Sequence, residues 1–324
     1  MKKLMVIPLV AAGMAAMVGC SKTPVKEAAK NDAINLANLD TAVAPGTDFY
    51  QYACGGWMKN NPLKPEYARF GTFDQLRDNN QEQIRTLIEG LSATPQQEGS
   101  VGQKIGMLFA MGMDSVKLNE DGYAPIKDQL AEINKLGTKD ELTKMVATLH
   151  KEGMAPFFAL YVGADEKNSS MNIVQLYQAG LGMGDRDYYL LEDESSPKMR
   201  EAYKNYITRL FTLIGSSPEQ ADAAVNAIMK IERGIAEVSF SREDLRDSQK
   251  NYNKMSIEDF KAKNDLLNWD VYFESMGMMD IKYLDAKQLS FYEGLSALMK
   301  NTTLDEQKYY LTFNLLSSAA PYLL

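Results

Sequence analysis

The stretch SPEQADAAVNAIMKIERGIAEV, residues 217–238, decides the fold class. Ser217 can accept from a backbone N–H of the first turn, Pro218 stands where a helix needs no donor, and Gln220 can reach back to the cap. Behind this start, Ala224, Val225, Ile228, Ile231 and Ile235 recur at the spacing of one helix face.

The same grammar extends outward in both directions. Towards the amino end, Met199, Tyr203, Ile207, Leu210, Phe211 and Ile214 form another stripe. Thr138 and Glu141 make a capping box ahead of Leu142, Met145, Val146 and Leu149, and Gly153 ends that helix. Pro125 opens a helix carrying Ile126, Leu130, Ile133 and Leu136. Val101, Ile105, Leu108, Phe109 and Val116 mark one more. Thr72 serves as a cap for Phe73, Leu76, Ile84, Leu87, Ile88 and Leu91, with Gly90 and residues 92–99 ending the run. Towards the carboxyl end, Ser256 caps a short helix, Trp269 to Phe273 reads as another, and Thr303 with Glu306 opens a helix through Tyr310, Phe313 and Leu316. One segment changes period: Phe157 to Val162 and Met171 to Tyr177, separated by a polar turn, predict a β-hairpin. The fold class is therefore mainly α, a large multi-helix lobe with one small β-hairpin.

With 45% hydrophobic residues over 324 positions, the chain can bury a core without disulfide staples. A net charge of −8 with no basic block repels phosphate backbones, so nucleic acid is excluded as a partner. Residues 1–19 read as a signal peptide. Lys2 and Lys3 precede an apolar run from Leu4 to Val18, which is short for a membrane span. The run closes on Gly19-Cys20, the pattern of a bacterial lipoprotein in which Cys20 becomes the lipid attachment site. An ordinary secretory signal with an incidental cysteine is the alternative. The lipoprotein reading expects a cell-envelope protein held to a membrane by its acyl chains, with residues 20–44 as a flexible tether.

The chemistry-bearing residues are few. His150 is the single histidine, so a zinc site with two imidazole ligands cannot be assembled. Its place near a predicted helix end suggests a structural role as a cation at the negative end of the helix dipole. Arg69 and Arg77 carry planar guanidinium forks that match a carboxylate; surface ion pairs satisfy them equally well. Asp185-Arg186-Asp187 and the run from Arg242 to Asp247 read as ion-pair networks that fix loops. Tyr188, Tyr189 and Trp269 read as core. If Cys20 carries lipid, Cys54 has no partner in this chain, which leaves a buried thiol or a partner elsewhere.

Five motifs occur in order. They are Pro45-Gly46-Thr47-Asp48-Phe49-Tyr50-Gln51-Tyr52-Ala53-Cys54-Gly55-Gly56-Trp57; Arg69 to Asp78 (RFGTFDQLRD); Gly180 to Leu190 (GLGMGDRDYYL); Leu245-Arg246-Asp247 with Tyr252-Asn253-Lys254-Met255; and Leu315 to Leu323 (LLSSAAPYL). Together they resemble the neprilysin and endothelin-converting-enzyme family of zinc metalloendopeptidases, bacterial oligopeptidases included. The family has proline where this chain has Gly184. The resemblance implies a two-lobed metallopeptidase of which this chain is the amino-terminal part. The implied zinc, on a His-Glu-x-x-His helix, lies in the carboxy-terminal catalytic lobe. It further implies that Arg69, and secondarily Arg77, hold the carboxyl end of a peptide substrate. Cys54 matches a cysteine that is disulfide-bonded in animal members.

The expected organisation is an arm at residues 45–90 packing on the catalytic lobe and a helical lobe at 91–324, truncated at an apolar end. The expected function is the substrate-restricting part of an exported zinc endopeptidase that cleaves short peptides, inactive alone and binding no zinc itself. The alternatives are a catalytically inert, lipid-anchored peptide-binding lipoprotein and a purely structural one.

Overall fold

The computed structural model describes residues 34–64, 67 and 69–323. The segment expected to be a signal peptide (residues 1–19), Cys20 and most of the expected tether lie outside these residues. The chain divides into two compact units, one ending at Thr94 and one beginning at Pro95.

The first unit holds α1 (Phe49–Asn60) and α2 (Thr72–Ala93). Asp48 caps α1 by accepting from the Gln51 N–H at 2.9 Å. The 34–40 segment crosses α1 at the Gly55-Gly56 pair, where a Cβ on Gly56 would come within 2.4 Å of the Ala37 carbonyl. The glycine pair of the first motif thus permits backbone to meet backbone. Trp57 stacks on Phe70, and Phe70 packs on Tyr67, so the approach to α2 is held by aromatic contacts. The cap of α2 is Gly71 rather than Thr72, and the Asp74 carboxylate accepts the Gly71 N–H at 2.9 Å. Gly90 does not end α2, which continues to Ala93.

The second unit contains α3 (Val101–Met113), α4 (Ser115–Asp121), α5 (Lys127–Lys135), α6 (Lys139–Lys151), β1 (Phe158–Asp165), β2 (Asn168–Gln178), α7 (Asp187–Leu190), α8 (Ser196–Leu213), α9 (Pro218–Val238), β3 (Lys254–Ser256), α10 (Ile257–Lys263), α11 (Trp269–Ser275), β4 (Tyr283–Ala286), α12 (Leu289–Lys300) and α13 (Leu304–Ala319). The capping boxes at Thr138, Ser217 and Thr303 all form. α9 packs against α8, α12 and α13, and its stripe of Ile228, Ile231 and Ile235 is fully buried.

The β element is larger than a hairpin. β1 and β2 pair antiparallel, with Phe158 opposite Gln178. β4 then adds parallel to β2 (Val174 opposite Leu284), and β3 pairs antiparallel with β4, giving the order β1-β2-β4-β3. The Tyr252-Asn253-Lys254-Met255 motif holds this sheet together. Tyr252 Oη and Lys254 Nζ both donate to the buried Asp165 carboxylate, at 2.9 and 2.7 Å. The Asn253 N–H donates to Asp285 at 2.7 Å. The Lys254 ammonium holds Asp165 down at a pKa of about 2.

His150 is structural, but not as a cation. Nε2 faces the Pro156 carbonyl at 3.1 Å and Nδ1 faces the Tyr272 hydroxyl at 2.6 Å. A carbonyl only accepts, so Nε2 carries the proton and Nδ1 accepts from Tyr272. Burial pushes the pKa down to about 4. Desolvation by α11 and the following strand outweighs the helix dipole, which corrects the expectation of a charged side chain.

Candidate functional site

Two regions carry the candidate chemistry, one in each unit. In the first, Arg69 lies between the packed rings of Tyr67 and Phe70, so its backbone is anchored while its side chain is exposed. It makes no hydrogen bond or ion pair among the described residues. Arg77, in the second turn of α2, is engaged. Its guanidinium lies 3.1 Å from Asp74 and 3.6 Å from Asp78, and 5.6 Å from the Tyr67 ring centre. Tyr67 Oη also donates to Asp78 at 2.9 Å. A hydrogen bond involving Tyr67, together with the nearby carboxylates, raises the Arg77 pKa. Arg69 therefore has no counter-ion among the described residues, and Arg77 is already shared between two carboxylates. Cys54 sits on α1, half-buried and unpaired among the described residues.

In the second unit, the signature Gly180 to Leu190 forms a loop and the short α7 around a buried carboxyl group. Glu232, from α9, accepts from Tyr189 Oη at 2.6 Å and Tyr203 Oη at 3.0 Å. Burial without a cationic partner pushes its pKa up to about 7. The Met183 N–H donates to Tyr189 Oη at 3.0 Å, tying the loop to the same cluster. Gly182 is required here, because a Cβ would stand 1.8 Å from Tyr203 Oη. Gly184 has φ +79°, a conformation that proline, with φ fixed near about −65°, cannot adopt. Arg200 fixes α7 from outside, donating to the carbonyls of Tyr188 and Leu191 at 3.0 and 2.8 Å.

This loop, α9 and α13 border a cavity of about 570 Å³. Gln178 clamps Phe240 in its wall by accepting the Phe240 N–H and donating to its carbonyl. Arg242 pairs with Asp185, joining the two charge runs as the alternation suggests. Arg186 does not follow that pattern. It has no ion-pair partner among the described residues, and its Nε is buried without an acceptor. Sequence reasoning assigned Arg186 to a loop-fixing network, and nothing local to the Asp-Arg-Asp run distinguishes it. The signal lies in the distant Arg242, which takes the carboxylate beside it.

The residues described here do not suit zinc. Both ring nitrogens of His150 are engaged, and no group of three or more His, Cys, Asp or Glu among the described residues could hold a metal ion.

Residues 45–324 match Peptidase family M13 in its amino-terminal part. Among curated relatives, the chain is similar to endothelin-converting enzyme 1 of Mus musculus, with 29% identity over 348 residues that span 99% of this chain and 44% of the relative. It is also similar to an endothelin-converting enzyme homolog of Locusta migratoria, with 29% identity over 248 residues, 74% of this chain and 34% of the relative. Among solved structures, the zinc metalloprotease Zmp1 of Mycobacterium tuberculosis in complex with an inhibitor superposes with a TM-score of 0.79 at 24% identity, covering 90% of this chain and 44% of that one. PepO from Lactobacillus rhamnosis HN001 superposes with a TM-score of 0.69 at 20% identity, covering 87% and 44%. The chain thus spans less than half the length of these relatives. With the family match covering all five motifs, the chain belongs to peptidase family M13.

Proposed function

We propose that this chain is the amino-terminal, substrate-restricting part of an exported zinc metalloendopeptidase that cleaves short peptides. The observation that carries this reading is the family match over residues 45–324, joined to coverage of only 44% of endothelin-converting enzyme 1. Zinc and the water it activates belong, on this reading, to a carboxy-terminal catalytic lobe. The contribution of this chain is to bound the chamber and hold substrate. Arg69 supplies a guanidinium for the substrate's terminal carboxylate, supported by its exposure and by the lack of a counter-ion among the described residues. Arg77 is the secondary contact, because Asp74 and Asp78 already draw on its charge. The arm at residues 45–90 docks on the catalytic lobe, a role supported by α2, which buries none of its residues. Cys20 anchors the protein through lipid to a membrane of the cell envelope, supported by the apolar run that ends on Gly19-Cys20.

The test joins this chain to a carboxy-terminal half that bears a His-Glu-x-x-His helix and compares it with the chain alone. The joined protein should bind one zinc and hydrolyse short peptides in preference to large proteins, and the isolated chain should do neither. Stoichiometric zinc with chelator-sensitive peptidase activity in the isolated chain would contradict the reading. For the anchor, Cys20→Ser should move the protein from the membrane fraction to the soluble fraction of a bacterial host.

A further inference from the structure

The cavity beside the glycine-rich loop has an asymmetry in its charges. Arg242 is neutralised by Asp185, and Glu232 is turned inward to two tyrosines. Arg186 lines the cavity as a cation with no ion pair or hydrogen bond to a carboxylate among the described residues, although its charge acts at longer range on Asp185. A guanidinium donor buried without an acceptor is destabilising, and an incoming anion that draws the group into the cavity removes that cost. Among the other lining groups, Asn314 donates its amide N–H to the Tyr310 carbonyl, which leaves its Oδ1 open to accept a peptide N–H. Leu181, Phe240, Leu245 and Phe313 supply apolar wall, and the Gln178 clamp holds Phe240 in place. A volume of about 570 Å³ lies in the range that encloses small ligands.

We propose that this cavity is a second peptide site, in which Arg186 binds the free carboxylate of a short peptide and the apolar wall takes its terminal side chain. The choice of a peptide over other carboxylic acids rests on the peptidase reading above. The geometry itself specifies a carboxylate beside an apolar group. Arg69 belongs to the other unit of the chain. No bond is made or broken in the cavity.

The test uses this chain alone, titrated with N-acetyl-Phe-Leu and with its carboxyl-terminal amide, and binding is read by calorimetry. The acid should bind at least ten-fold more tightly than the amide. Arg186→Gln should remove that preference and leave the amide unchanged, and Arg186→Lys should restore part of it. Circular dichroism and the melting temperature establish that each variant is folded. In an Arg69→Met background the preference for acid over amide should persist and should still be removed by Arg186→Gln, which separates this site from the proposed substrate contact. Equal binding of acid and amide, no binding of either, or unchanged acid affinity in Arg186→Gln would overturn the proposal. Loss of acid binding in Arg69→Met would also overturn it, by placing the carboxylate at Arg69.

Discussion

α2 and α9 are helices of nearly equal length, 22 and 21 residues, and both carry an apolar stripe at helical spacing. α9 buries Ala221, Ala224, Ala227, Ile228, Ile231, Glu232, Ile235 and Ala236. α2 buries nothing, and Phe73 at its start is 88% exposed. The first turn of α3 is similar, with Val101 at 72%. Periodicity therefore reports that a helix forms and which face is apolar. It does not report whether this chain supplies the partner for that face. The stripe of α9 is core, whereas that of α2 is left uncovered by its own unit.

Substitutions can break or sharpen this contrast. The largest effect belongs to the centre of α9. Ile231→Ala opens a cavity in a face with no exposure and should cost about 2–5 kcal/mol in denaturant unfolding. A loss under about 1 kcal/mol there would mean that α9 is not the core element described.

Next in size is Glu232, whose effect depends on pH. Its carboxyl group titrates near about 7 in the folded chain against an ordinary value of 4.5. Because the folded value is raised, its contribution is fully present below about pH 4.5 and is lost as pH rises through about 7. The full change is roughly 3 kcal/mol. Glu232→Gln should therefore become more stable relative to the parent as pH goes from 5 to 8. A pH-independent difference would show that Glu232 is ionised throughout. His150 acts in the opposite sense. Its folded value is depressed to about 4, so its contribution is present above about pH 6.5 and is lost as pH falls through 4.

Gly182→Ala should cost about 1–3 kcal/mol, because the added methyl must displace Tyr203 from Glu232. Fluorescence of the tyrosine cluster and thermal melting would both report it, and an unchanged melt would mean that the loop is not pinned there. The smallest effect is predicted for the exposed stripe. Leu87→Ala in α2 should change the stability of this chain by less than about 0.5 kcal/mol, as measured by the same denaturant titration. A loss as large as that of Ile231→Ala would erase the distinction between the two helices.

The features legible in the sequence are those whose physics is local. The capping boxes at Thr138, Ser217 and Thr303 are made within four residues, and all formed where the sequence places them. The hairpin was legible for the same reason. β3 and β4 were not, because three and four residues are too few to show alternation and their pairing joins distant segments. α12 was readable in principle, since Phe291, Tyr292, Leu295 and Met299 lie at helical spacing and are buried, but Gln288 makes no side-chain cap to announce it. The charge on His150 depended on its burial, which local sequence does not show, and its Nδ1 partner Tyr272 lies 122 residues away. Arg186 looked like any arginine between two aspartates until the fold brought Arg242 to Asp185. Arg69 and Arg77 were distinguished by Asp74 and Asp78, which accompany Arg77 along α2, whereas Arg69 has no counter-ion among the described residues.

The central claim is that the first unit offers Arg69 to the substrate's terminal carboxylate, and substitution of Arg69 tests it most directly. In a complete enzyme carrying this region, kcat/KM is measured for short peptides with a free carboxyl end and for their amides, with Arg69 and with Arg69→Met. A charge-assisted contact to a carboxylate is worth about 1.5–3 kcal/mol, so the acid peptides should lose roughly 10- to 100-fold and the amides little. The melting temperature should not move, since the side chain is exposed. Equal losses on acid and amide would contradict the account and make Arg69 a structural residue.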